Sequence, residues 1–344
     1  MDEEKKNVLT VIAKTGLTIG GVIGAIKIYY TIFKRYNRPD YKTFPGLYYY
    51  ERVKDILPRK EMSFVSKRNK LNAYYYETPN PYGLVVLVHG FHSGSDEYLP
   101  IIIYLVKNGF NVFTYDGTGT YESEGKSLVG FSQGLVDLDY ALEFIKNNKL
   151  LSKFPLFLLG HSCGGFAVNA ILNKRTNVKA VASIAAVNNC YKLILEKGYQ
   201  YAGNNAGEGL PKVFLDEYQK ILFGDYTKYV STDGINNVRI PILLAHGISD
   251  ETIDFELQSV ISHKEEFTNP NVQFYYGTGN QGGHCSIWHS EQSNDYQEEV
   301  DKMLKSLKDD ENAKAQYVSS VNHYLYSEIN YQLFDLIIKL FKNA

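Results

Sequence analysis

The chain has 344 residues, with 36 Lys and Arg against 38 Asp and Glu, for a formal net charge of −2. That balance lacks the strongly basic face of a nucleic-acid binder, and a 44% hydrophobic, 22% charged composition excludes a disordered chain. Three Cys cannot make a disulfide framework and agree with a reducing compartment.

In chain order, Val8 to Phe33 comes first, apolar except for Lys14 and Lys27 and followed by Lys34, Arg35 and Arg38. At ~1.5 Å per residue it is long enough for the ~30 Å hydrocarbon core of a bilayer. Gly16, Gly20 and Gly24 form a small-xxx-small face suited to close helix packing in lipid. The start is not net basic and no A-x-A site follows, which disfavours a cleaved signal peptide. The expectation is an N-terminal hydrophobic helix and basic linker over residues 1–40, serving as a membrane anchor. Counting Lys and Arg on its flanks, 3 after against 2 before, places the rest of the protein on the cytoplasmic side. The alternatives are a helix lying in the membrane interface and a soluble cytoplasmic protein.

Residues 41–344 read as one α/β domain. Met62–Ser66 and Leu71–Tyr76 are an antiparallel pair on a sheet edge. Leu84–His89, Asn111–Asp116, Pro155–Gly160, Val178–Ile184, Ile240–His246 and Val272–Tyr276 read as buried parallel strands. Helical patterns lie near 96–108, 132–148 and 163–174. This alternation predicts a mostly parallel central sheet with helices on both faces. Residues 186–238 interrupt it and are expected to form a small helical cap, with helices at 190–202 and from Pro211 to Gly224. Further helices are expected at Ser290–Asn312 and Ser327–Lys342. The 29 Tyr suggest composition bias plus, in part, a wet aromatic pocket.

Gly160-His161-Ser162-Cys163-Gly164 matches G-x-S-x-G, between a predicted strand and a predicted helix. Such a turn holds Ser162 in a strained conformation above the sheet. The plainer alternative is a Gly-rich turn with an ordinary serine. A serine hydroxyl needs a base, and the base needs an acid to fix its tautomer. Asp250 follows one predicted strand and His284 lies on the Gly-rich loop after another, in the order Ser, Asp, His. Glu251 and Asp254 compete with Asp250; His246 reads as a packed core histidine and His289 as part of a helix start. The N–H of Cys163 and the N–H of Phe91, in His89-Gly90-Phe91-His92, are the expected oxyanion donors. Cys163 and Cys285 read as small packing residues. His89 and His92 lack the company of an HExxH helix or a Cys cluster, so no metal site is expected.

These motifs, over about Leu71 to Lys342, resemble the α/β-hydrolase superfamily, in the branch with serine aminopeptidase-like and monoacylglycerol lipase-like proteins. Asp116-Gly-Thr-Gly-Thr-Tyr-Glu-Ser-Glu-Gly125 resembles the family's D-x-R-G-x-G-x-S-x-G, departing at Thr118, usually Arg, and Tyr121, usually Gly. With Gly130-Phe-Ser-Gln-Gly-Leu-Val-Asp-Leu-Asp139, it is also similar to a bacterial subgroup carrying an N-terminal hydrophobic helix. The resemblance implies a serine hydrolase that cleaves a carboxylic ester through an acyl-enzyme, without metal or organic cofactor. A peptidase or amidase with the same triad and a non-catalytic protein with a degenerate site are the alternatives. His92, His161, Tyr191, Phe214 and Tyr218 are the candidate pocket residues.

Overall fold

The computed structural model describes residues 19–194 and 209–344. Its strands are β1 (Arg59–Ser66), β2 (Asn69–Tyr76), β3 (Leu84–Val88), β4 (Asn111–Tyr115), β5 (Leu156–His161), β6 (Ala180–Ile184), β7 (Ile242–Gly247) and β8 (Val272–Gly277). Its helices are α1 (Ile19–Ile32), α2 (Leu99–Lys107), α3 (Gln133–Asn147), α4 (Cys163–Ala170), α5 (Gly209–Phe223), α6 (Ser231–Asn236), α7 (Glu291–Ser306), α8 (Glu311–Ser320), α9 (His323–Tyr326) and α10 (Tyr331–Lys342). The strands form one sheet in the order β1-β2-β4-β3-β5-β6-β7-β8. The β1–β2 hairpin is antiparallel and so is its junction with β4; every other pairing is parallel.

β3, β4, β6 and β7 are buried along their whole length because helices cover both faces. On one face, Leu333, Phe334, Ile337 and Phe341 of α10 pack with Leu99, Ile102 and Leu105 of α2. Each such side chain contributes about 1.5–3 kcal/mol by leaving water. On the other face, Leu135 and Leu138 of α3 pack with Phe166, Ala167 and Val168 of α4. Part of the Tyr excess belongs to this interior: Tyr74, Tyr75, Tyr76 and Tyr115 are buried in the sheet. β8 departs from the expected buried strand. It is an edge strand, and Phe274 and Tyr276 are 36% and 42% exposed.

β4 lies on one side of β3, and β5 to β8 lie on the other. Loops leaving β3 and β5 therefore diverge, opening a crevice at their carboxyl ends.

The N-terminal region corrects the membrane-span expectation. Residues 8–18, with Gly16, lie outside the described residues. The described part, α1, has 14 residues, roughly 21 Å. Its Val22, Ile26 and Tyr29, with Phe33 just beyond, are buried in a cluster with Leu128, Phe214 and Tyr218. Side chains packed on the domain cannot also face lipid, and no helix among the described residues is long and apolar enough to cross a membrane. Gly20 and Gly24 face open space rather than a partner helix. With the span withdrawn, the count of flanking cations no longer bears on sidedness.

Between β6 and β7, residues 190–194 are helical and the remainder of the expected 190–202 helix lies outside the described residues. The helix expected from Pro211 is α5.

Candidate active site

Ser162 stands between β5 and α4 with φ 56° and ψ −121°. No non-glycine residue enters that region without strain, and a strand that must reverse directly into a helix imposes it. The turn closes only because its flanks lack side chains: a Cβ on Gly164 would collide with the carbonyl oxygen of Val88, and one on Gly160 with that of Gly164. Ser162 N–H donates to the Ile184 carbonyl (2.8 Å), tying the turn to β6, while its hydroxyl makes no helix-cap bond.

His284 Nδ1 lies 2.7 Å from Asp250 Oδ2. The carboxylate only accepts, so Nδ1 carries the proton and Nε2 keeps its lone pair. Asp250 Oδ1 accepts from the backbone N–H groups of Thr252 and Ile253, both at 2.8 Å. Asp250 is thus fixed at both oxygens. Burial would raise its pKa; the hydrogen bonds from His246 and His284 outweigh this and hold the carboxyl well below the usual range. The two loops meet because Gly247 approaches Gly282 so closely that a Cβ would strike its carbonyl oxygen. Glu251 instead accepts from the His284 backbone N–H (3.1 Å), and Asp254 caps the turn at Glu256 and Leu257. Of the three competing carboxylates, Asp250 alone is bonded to the imidazole.

The sequence reading missed two participants. His246, taken as a packed histidine, is fully buried with Nε2 3.0 Å from Asp250 Oδ2 and 3.3 Å from the Ile253 carbonyl. Both partners accept, so Nε2 donates and Asp250 Oδ2 receives two imidazole N–H groups. Its place four residues before Asp250 was the available signal. Tyr98 carried none. Gly90 N–H donates to the Tyr98 hydroxyl (3.0 Å), which donates to His161 Nδ1 (2.9 Å), and His161 Nε2 donates to the His284 carbonyl (3.1 Å). This chain links the loop after β3 and the end of β5 to the loop that bears His284. Burial, with His284 nearby, pushes the His161 imidazole down to about 3, so the ring stays neutral in this relay.

The expected pocket residues divide. His92 lines a cavity beside the β3–α2 loop, together with Phe91, Leu128, Phe131, Tyr115 and Cys163. His161 is no pocket wall: both its ring nitrogens are engaged and it is buried. Phe214 and Tyr218 stack on each other and turn toward α1, where Tyr218 meets Tyr29 edge-on at 5.0 Å; packing between helices claims them. The Tyr191 hydroxyl donates to Asp216, joining 190–194 to α5. His289 is buried, pushed down to about 3 by desolvation, and braced against Tyr48 and Glu328. Cys163 is buried, whereas Cys285 is exposed rather than packed. His89 accepts from Gly117 N–H (2.9 Å) and pins the loop after β4. Among the described residues, no group of three or more His, Cys, Asp or Glu is placed to hold a metal ion.

The departures at Thr118 and Tyr121 have local compensations. Thr118 N–H and hydroxyl bond the buried Asp137 (2.8 and 2.9 Å). Tyr121 takes φ 46°, a left-handed conformation in which a bulky residue is strained.

Residues 79–215 match the family model described as serine aminopeptidase, S33. The uncharacterized protein YfhR of Escherichia coli O157:H7 is 26% identical over 186 residues, 52% of this chain and 56% of that protein. The YfhR protein of Salmonella typhi is 25% identical over 181 residues, 52% of this chain and 57% of that protein. The chain spans about half the length of these curated relatives. Among solved structures, an esterase of Pyrococcus furiosus is similar with a TM-score of 0.54 at 18% identity, covering 79% of this chain and 98% of that one. DcsB, solved with a substrate analogue, follows at 0.50 and 17%, covering 72% and 99%. At these identities the likeness is one of fold.

Proposed function

The chain has the α/β-hydrolase fold, and from that premise we propose that it is a serine hydrolase cleaving a carboxylic ester through an acyl-enzyme. The observation that carries this reading is the 2.7 Å bond between His284 Nδ1 and Asp250, on a loop bonded at 3.1 Å to His161, the neighbour of a strained Ser162. In the proposed reaction Ser162 Oγ attacks the substrate carbonyl carbon and His284 Nε2 accepts its proton. The oxyanion is received by the N–H groups of Phe91 and Cys163. His284 then returns the proton to the leaving alcohol as the ester bond breaks. Water, deprotonated by the same imidazole, releases the acid and restores Ser162. Asp250 keeps the tautomer and stabilises the imidazolium. These steps need no metal ion or organic cofactor.

Residues 186–238 are proposed as a cap over the crevice, with α5 as its main described helix. A peptidase or amidase is the second reading, favoured by the match to a serine aminopeptidase model. A lipid surface is proposed as a peripheral partner of α1, whose Ile23, Ile28 and Tyr30 are exposed on the side away from the domain.

A fluorophosphonate probe tests the reading. Wild type should label and Ser162→Ala should not; equal labelling of both would refute it. Matched esters and amides of one acyl group then separate the two readings by their kcat/KM ratio.

A further inference from the structure

After α1 the chain runs as an extended strap over residues 33–38, laid along the loop that follows β4. Leu128 N–H donates to the Phe33 carbonyl (2.9 Å), Tyr36 N–H to Gly119 (3.0 Å), and Tyr121 N–H to Tyr36 (2.8 Å). Arg35 donates to the carbonyls of Gly125 (2.7 Å) and Tyr121. Backbone pairing of this kind fixes the strap's register, and with it the side chains it presents.

Those side chains meet the loop after β3, where Phe91 and His92 lie and His92 itself takes φ 51°. Phe33, 1% exposed, stands edge-on to Phe91 at 5.4 Å and to Phe131 at 5.0 Å. Tyr36 stacks on His92 at 5.7 Å, and His92 stacks on Phe91 at 4.1 Å. Below them, Glu97 Oε1 accepts from the hydroxyls of Tyr36 (3.2 Å) and Tyr121 (2.8 Å), and Oε2 accepts from Ser93 (2.9 Å). Arg38 closes the strap, paired with Asp96 and Glu122 and lying 4.1 Å over the Tyr121 ring. The strained Tyr121 is thus held from three directions by strap residues.

Phe33 also backs Phe91, Leu128 and Phe131, three apolar residues lining the cavity beside the loop. A cavity with that lining suits an apolar chain rather than a charged one. Edge-to-face aromatic contacts are directional, so a ring held by them has less freedom than one held by contact area alone.

We propose that residues 19–38 are a working wall of the active site: Phe33 and Tyr36 are positioning residues that hold the Phe91–His92 loop, and Phe33 shapes the subsite for an apolar acyl chain. This rests on the serine hydrolase reading above. An N–H aimed at a developing oxyanion acts only while its loop is held, and displacements of about 1 Å cost up to a hundredfold in rate. A wall that backs the acyl chain touches long acyl groups and leaves an acetyl group alone.

The test uses the full chain with Phe33→Ala, Phe33→Val, Phe33→Leu, Tyr36→Phe and, as a control on the exposed segment before β1, Ile56→Ala. kcat and KM are measured for acetyl and octanoyl esters of one alcohol, with fluorophosphonate labelling and a thermal melt for each protein. Phe33→Ala should lower kcat on the acetyl ester about tenfold with KM little changed. It should also change the octanoyl-to-acetyl ratio of kcat/KM by about a further tenfold. Phe33→Val should lose activity in the same direction as Phe33→Ala, Phe33→Leu should recover most of both effects, Tyr36→Phe should lower kcat alone, and Ile56→Ala should change neither. If Phe33→Ala does not fold, Phe33→Val and Tyr36→Phe still decide the matter. Folded Phe33→Ala or Phe33→Val with kcat and chain-length ratio, and folded Tyr36→Phe with kcat, within about twofold of an active wild type would overturn the proposal and leave the serine hydrolase reading standing. A folded wild type that neither labels nor turns over any ester would overturn both.

Discussion

Replacing Ser162 by glycine and by alanine should give two inactive proteins of different stability. Both substitutions remove the proposed nucleophile. Neither loses a helix cap, since the Ser162 hydroxyl makes none. They differ in the backbone. Alanine retains the Cβ that makes φ 56°, ψ −121° unfavourable, a conformation costing about 1–3 kcal/mol, and glycine does not. Against this relief stands the extra unfolded-state freedom of glycine, about 0.5–1 kcal/mol. The net is about 1 kcal/mol in favour of Ser162→Gly. For 344 residues the unfolding entropy is about 0.7 kcal/mol per degree, so the glycine protein should melt about 1–2 °C above the alanine protein. Calorimetry on the two, with ester turnover and probe labelling as activity readouts, makes the comparison. A glycine variant that melts at or below the alanine variant would show that the strain assigned to this turn is absent.

Three further outcomes follow from the site. Asp116 is fully buried and burial, against the opposing Ser95 hydrogen bonds, raises its pKa from 3.8 to about 6. Its folded pKa exceeds its unfolded value, so the folded state binds the proton more tightly. Its stabilising share, about 3 kcal/mol, is present in full below pH ~4 and lost as pH rises through about 6. Urea titrations should show Asp116→Asn flattening the stability profile between pH 4 and 6; an unchanged slope would contradict the assignment. Gly247→Ala drives a Cβ into the Gly282 carbonyl and should cost about 2 kcal/mol or more, with loss of turnover as the Asp250 and His284 loops part; a variant as stable and active as wild type would count against that close approach. His246→Leu removes one of the two imidazole N–H groups on Asp250, so kcat on an ester should fall about tenfold with KM near wild type; unchanged kcat would make His246 a packing residue only.

The elbow was legible because its causes are local. Gly160, Ser162 and Gly164 sit within five residues, and the steric demand of a strand turning into a helix falls on those positions alone. The mostly parallel sheet was legible for a related reason: strands buried on both faces must be apolar throughout, as β3, β4, β6 and β7 are. Chain order, and a place just past a predicted strand end, also brought Asp250 forward with His284, leaving Glu251 and Asp254 as alternatives. Three carboxylates within five residues satisfy the same pattern, and only the approach of Gly247 to Gly282 decides which of them meets the imidazole. β8 shows a different gap: an apolar run looks the same at the centre of a sheet and at its edge, and strand order is a property of the whole fold. The hydrophobic segment at the N-terminus is the sharpest case. Lipid and protein interior are both apolar solvents, so a stretch such as Val22 to Phe33 reads alike for either. The tertiary structure assigns those side chains to Leu128, Phe91, Phe131 and Tyr218, because the strap that follows is hydrogen-bonded to the loop after β4 and carries the helix onto the domain.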